Sequence, residues 1–237
     1  MKSFYTLLLA SMFSLSVSAQ NVDADKARAA QNKALRDSLS KATEVLAYHP
    51  DSIDLRLKKA AWNIQLKQWQ YAKDDLDKVL FLNNTNIAGL FYRAFVNEKL
   101  LRYNFARLDY QNLLVLVPGN FQAQLGLALL NEKDKHYTEA YDGINSLIEQ
   151  YPDSAMAYAA RGGMEKERGM LELAEFDYAK AMELDAGNED FAFNHVDILI
   201  LLGRKDEAYR DLKKLLDAGC QPGRLQGFYA RLKKKKK

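Results

Sequence analysis

The chain has 237 residues, 48% of them apolar and 27% charged, with a formal net charge of +3. Lys2 and Lys233–Lys237 hold six of the 34 basic residues, leaving 28 against 31 acids and a body near −3. A nucleic-acid binder spreads its Lys and Arg along one face; here the excess is a tail, which argues against that class. The single cysteine, Cys220, excludes an intramolecular disulfide and is expected to be a buried, inert thiol.

Residues 1–19 read as a secretory signal peptide. Lys2 gives a positive start, Tyr5–Val17 is mostly apolar, and Val17-Ser18-Ala19 supplies small residues before Gln20. The apolar stretch is shorter than the roughly 20 residues of a membrane helix. The expected mature chain starts near Gln20 and is exported, to a periplasmic or a secreted location. Residues 20–52 are predicted to form an N-terminal capping helix. Leu35, Leu39, Ala42, Val45 and Leu46 make one stripe of it, and the polar residues before Leu35 are expected to project.

From Ile53 to Pro222 one unit recurs. Ala72, Ala106, Ala140, Ala174 and Ala208 lie 34 residues apart, and Ala60, Ala94, Ala128, Gly162 and Val196 form a second column 12 residues upstream. Small residues at fixed places on two successive helices let their backbones approach closely. In the fourth unit Tyr158–Arg168 is helical in pattern, Gly169 is a stop, and Ala174, Tyr178, Ala181 and Met182 form an apolar stripe on the next helix. Gly203 repeats that stop, Pro50, Pro118 and Pro152 end second helices, and Ser52 and Ser154 are placed to cap the helices that follow. At the C-terminus, Leu225, Phe228, Tyr229 and Leu232 suit a sealing amphipathic helix, with Ala230 in register as half of a sixth unit; Lys233–Lys237 is a solvated tail, available for weak contact with anionic surfaces.

The period and the alanine columns resemble the tetratricopeptide repeat, a helix–turn–helix unit of 34 residues. The resemblance covers five units, 53–86, 87–120, 121–154, 155–188 and 189–222, and residues 223–237 form the C-terminal cap and tail. It implies an all-α, right-handed α-solenoid with helical caps at both ends. Two departures are informative. Asn63, Asn97 and Asn131 replace the family's first-helix aromatic and are expected to face solvent or bridge. Lys59/Asp75, Arg93/Asp109, Arg161/Asp177 and His195/Asp211 recur 16 residues apart, while the third unit loses both partners as Leu127 and Gly143. That joint loss predicts an ion pair between the two helices of each unit.

The residues predict no catalytic, cofactor or metal site. His49, His136 and His195 fall in different units and are expected at turns or helix surfaces, and no phosphate-binding glycine loop, zinc motif or nucleophile elbow is present. The resemblance instead implies a concave surface, built mainly from the first helices, that holds a peptide or a partner's helix. Residue by residue its candidates include Leu57, Ala61, Ile64, Phe91, Phe95, Leu125, Leu129, Lys166 and Phe193. The same apolar side chains could instead pack between helices. The expected function is a non-catalytic protein-interaction scaffold of a bacterial envelope that binds another protein or peptide, not nucleic acid. An assembly or chaperone factor for exported or outer-membrane proteins is the alternative; an enzyme or small-ligand binder with an unrecognised site is the remaining one.

Overall fold

Five side chains spaced by the repeat start the first helix of every hairpin. Ser52, Asn86, Asn120, Ser154 and Asn188 each accept a hydrogen bond from a backbone N–H two or three residues on, at 2.8–3.4 Å. These caps satisfy donors that a helix leaves unpaired at its N-terminus. In the computed structural model, which describes residues 22–233 and side chains from Ala27 on, they open α2, α4, α6, α8 and α10.

The described residues form helices joined by short turns. A lone helix α1 (Val22–Tyr48) precedes three hairpins: α2 (Ile53–Gln65) with α3 (Trp69–Leu82), α4 (Ile87–Lys99) with α5 (Tyr103–Leu116), and α6 (Phe121–Lys133) with α7 (Tyr137–Gln150). Two more follow, α8 (Ala155–Glu167) with α9 (Leu171–Leu184) and α10 (Glu189–Leu202) with α11 (Lys205–Asp217), then α12 (Pro222–Lys233). The chain divides into two compact units, one spanning Asn21–Gln150 and the other, where described, beginning at Tyr151. No Gly/Ser linker in the sequence announces that boundary, and the unbroken 34-residue period reads as one array. The signal-peptide reading of residues 1–19 and the last four lysines lie outside the described residues.

In the N-terminal unit each helix packs on its neighbours in sequence, and the first helices α2, α4 and α6 also touch in series. In the C-terminal unit α8 packs on α9, α9 on α10, α10 on α11, and α12 on both α10 and α11. The alanine columns lie at these contacts: Ala72, Ala106, Ala140, Ala174 and Ala208 have no exposed surface. Helix α1 buries Ala42 and Leu46, whereas Val45 from the same predicted stripe is exposed. At the other end α12 buries Leu225 and Leu232 against Leu212 and Leu215 of α11. Ala230, expected in the small-residue column, is exposed instead; among the described residues no helix follows α12 to cover it.

Every hairpin turn makes the same backbone loop. The carbonyls of Asn63, Asn97, Asn131, Glu165 and Leu199 accept from the N–H five residues on, at 2.8–2.9 Å, and the residue before that N–H has positive φ. Gly169 and Gly203 fill this left-handed position in the C-terminal unit, as the sequence suggests. In the N-terminal unit it is held by Lys67, Leu101 and Lys135, at φ 57°, 59° and 63°.

Candidate partner-binding surface

The residues predicted for a concave groove are mostly interior. In the N-terminal unit Ala61, Ile64, Phe91, Phe95 and Leu125 are buried, Phe91 and Phe95 retaining 4% and 3% exposure, while Leu57 and Leu129 are half-buried. Phe91 meets Tyr110 edge-on at 6.1 Å, and Phe95 meets Trp69 in the same way at 6.1 Å under the Lys99 ammonium. Such edge-to-face pairs fix ring positions beyond what burial alone does. In the C-terminal unit Lys166 is tied to Asp197, and Phe193 stacks on Phe228 at 5.7 Å beneath the Arg224 guanidinium. Phe91, Phe95 and Phe193 thus hold helices together, while Leu57 and Leu129 keep part of their surface open.

The predicted ion pairs do form inside the hairpins. Lys59–Asp75 closes at 3.0 Å, Arg93–Asp109 at 2.7 Å, Arg161–Asp177 at 2.7 Å and His195–Asp211 at 2.9 Å. Arg93 and Arg161 each grip both carboxylate oxygens, a bidentate geometry stronger than a single contact. Burial works against the Arg93 charge, yet Asp109 and Asp77 outweigh it and raise its pKa. His195 is buried between Asp211 and Glu175, not on the surface as expected. Hydrogen bonds from His195 and Lys214 hold Asp211 below the usual carboxylate range even though burial opposes them. In the third hairpin the missing acid leaves room for contact, since a Cβ on Gly143 would meet the Ala128 methyl at 3.4 Å.

The asparagine column is also interior, so of the two expected roles solvent exposure is corrected, while Asn131 does bridge hairpins. Asn63, Asn97 and Asn131 are buried. Asn97 donates to Asp109 at 3.3 Å, and Asn131 accepts from Arg107 of the preceding hairpin at 3.1 Å. Asn97 and Asn131 thereby give the buried Asp109 and the Arg107 guanidinium a polar partner.

What the N-terminal unit does expose is apolar, on its second helices. Phe105, Leu108, Val115 and Leu116 of α5 are all exposed and fall within a sector of about 100° at 3.6 residues per turn. On α3 Tyr71 is exposed, and Phe81, at its C-terminal end, is 81% exposed. The repeat carries a readable signal for this surface. Phe81 and Val115 occupy a column that continues as Glu149, Glu183 and Asp217, so two hairpins place apolar groups where the others place acids. The C-terminal unit exposes Leu173 and Phe176 on α9, at the positions of Phe105 and Leu108, and also Leu201 on α10 and Tyr209 and Leu216 on α11.

Among the described residues no group of three or more His, Cys, Asp or Glu is placed to hold a metal ion. No described helix is long and apolar enough to cross a membrane.

These hairpins, built on small-residue contacts and closed by one recurrent turn, define an all-α helical-repeat protein. More particularly, the chain has the tetratricopeptide-repeat fold, as comparison with solved structures bears out. It is similar to a tetratricopeptide repeat protein from Parabacteroides merdae, with 21% identity and a TM-score of 0.72 over 86% of this chain and 80% of that one. It is also similar to YrrB, a repeat protein described as having an unusual peptide-binding site, with 18% identity and a TM-score of 0.51 over 80% of this chain and 97% of that one. Among curated proteins it is 30% identical over 108 residues to sperm-associated antigen 1 of Homo sapiens, a match spanning 44% of this chain and 12% of that protein. No protein-family model matches the chain.

Proposed function

We propose that this protein is a non-catalytic interaction scaffold that binds an apolar segment of a partner protein on the second-helix face of its N-terminal unit. The observation that carries the reading is the exposed set Tyr71, Phe81, Phe105, Leu108, Val115 and Leu116. Exposed apolar side chains gathered on one face of a helix, as on α5, favour burial by a partner. The ordered polar groups point the same way. Among the described residues the buried Asp75, Asp109, Asp177 and Asp211 are each paired with a basic side chain of the neighbouring helix, a structural use of charge. The described peptide-binding site of YrrB is consistent with this class of function in the fold.

We further propose that the protein works outside the cytoplasm of a bacterium, on the basis of the charged start, apolar stretch and small-residue run of residues 1–19. N-terminal sequencing of the protein recovered from its native cells tests this, and a first residue other than one near Gln20 rejects it. The surface itself is tested by cross-linking the exported chain in its own extracts, beside a Phe105→Asp/Leu108→Asp variant and a Leu57→Asp/Leu129→Asp variant. Loss of cross-linked partners in the first variant alone supports the second-helix face. Loss in the second alone returns the site to the first helices, and identical partner sets for all three chains reject both surfaces.

A further inference from the structure

The C-terminal unit contains a carboxylate pair that the repeat itself makes interpretable. Arg161 holds Asp177 through two hydrogen bonds of 2.7 and 2.8 Å, as Arg93 holds Asp109 at 2.9 and 2.7 Å in the N-terminal unit. The third member of the cluster differs. Asn97, four residues after Arg93, donates its amide to Asp109 at 3.3 Å. Four residues after Arg161 stands Glu165, which is 5% exposed and within hydrogen-bonding reach of Asp177, itself 1% exposed. Its Oε2 is buried and no donor reaches it. A carboxylate in the place of a donating amide, facing a second carboxylate, can fill the amide's role only by carrying a proton of its own.

We propose that Glu165 and Asp177 share one proton in the folded C-terminal unit, and that release of this proton at rising pH loosens the α8–α9 hairpin. Deprotonation sets two buried carboxylates against one guanidinium, and like charges at such a site cannot both ionise without cost. Burial first, then the Asp177 charge, pushes Glu165 up to about 7, with Arg161 opposing them. The folded value therefore stands above the ordinary 4.5. It follows that the hairpin keeps its full stability below about pH 4.5 and loses it progressively as pH climbs through about 7.

Other charged groups are near and are accounted for. On α8 itself Lys166 is bound to Asp197 of α10, which Arg231 of α12 also holds, and Glu167 is exposed. From α9 the Tyr178 hydroxyl is driven above its usual range, first by burial and then by Asp197 and Glu167. His195 of α10 faces Asp211 and Glu175, away from the pair.

The test compares the full chain with Glu165→Gln, whose amide donates to Asp177 at every pH. Hydrogen exchange at the amides of α8 and α9, corrected for intrinsic rates, reads the opening equilibrium. Between about pH 5 and about pH 8 the wild-type constant is expected to rise about a hundredfold relative to the variant, because stability falls roughly tenfold for each pH step between the unfolded and folded pKa values. Parallel profiles for the two chains overturn the proposal, because a merely structural Glu165 changes stability equally at both ends. Infrared difference spectra supply a reading independent of stability. A protonated-carboxyl carbonyl band is expected in wild type near neutral pH and absent from Glu165→Gln, and its absence from wild type overturns the proposal as well.

Discussion

The two compact units are built from the same hairpin, yet they solve its difficult positions differently. Lys67, Leu101 and Lys135 hold the left-handed turn residue in the N-terminal unit, where the C-terminal unit uses Gly169 and Gly203. Each non-glycine residue there carries about 1 kcal/mol of steric cost. The column after the basic residue holds neutral amides in the first unit, and Glu165 then Leu199 in the second. Two of the three second helices of the first unit carry Phe81 and Val115 in a column where the third carries Glu149 and those of the second unit carry Glu183 and Asp217. The lesson is that the repeat constrains backbone and small-residue columns tightly, while the side chains around them are free to build a surface in one unit and a charge cluster in the other.

Steric columns give the largest expected effects. A Cβ on Gly126 would stand 2.7 Å from the fully buried Tyr110 ring, which cannot withdraw, so Gly126→Ala should cost about 3 kcal/mol in urea unfolding. At Gly162 the nearest atoms are Asp177 Cβ and Tyr178 Cδ2, both at 3.2 Å, and Gly162→Ala should cost about 1 kcal/mol. Equal costs would mean that the contact of Gly126 with Tyr110 is no tighter than that of Gly162 with Asp177 and Tyr178.

The charge clusters come next. Asp109→Ala leaves Arg93 half-buried beside a neutral Asn97, with the part-exposed Asp77 its remaining acid, and should cost about 2–3 kcal/mol. Asp177→Ala should cost about 1 kcal/mol less near neutral pH, because Glu165 can then ionise beside Arg161. At acid pH that difference should vanish, which chemical denaturation at two pH values will show.

The turn residues should produce smaller shifts of opposite sign. Gly169→Leu forces a branched side chain to φ 74° and should lower stability by about 1 kcal/mol, whereas Leu101→Gly relieves φ 59° and should raise it by about 0.5 kcal/mol. Stability measured by thermal unfolding that moves the same way in both would break the comparison.

The exposed apolar positions should barely affect folding. Phe81→Lys with Val115→Lys should change stability by less than about 0.5 kcal/mol, while analytical ultracentrifugation and cross-linking report loss of association if the face is used. A large loss of stability instead would mean that these side chains belong to the fold.

Much of the fold was legible because the repeat fixes small residues where helices cross, and a larger side chain at Ala106 or Ala174 has nowhere to go. The paired columns of base and acid were readable for a related reason: Leu127 and Gly143 lose both partners together, the mark of direct contact. The asparagines misled because a polar residue on an amphipathic helix reads as solvent-facing. Their partners, Asp109 for Asn97 and Arg107 for Asn131, lie 12 and 24 residues away. The groove candidates were ambiguous for a similar reason. Phe91 and Phe95 carry the same pattern whether a partner or a neighbouring aromatic covers them, and Tyr110 and Trp69 do so here.

By itself, then, the sequence determined the hairpin, its length, its caps and its internal ion pairs, because each depends on residues near in the chain or spaced by a fixed period. Only the tertiary structure decided which apolar side chains stay exposed, where three non-glycine residues accept a left-handed turn, and that Glu165 meets Asp177. Those outcomes rest on which side chains from different helices compete for the same space, and that competition is settled only when the helices pack.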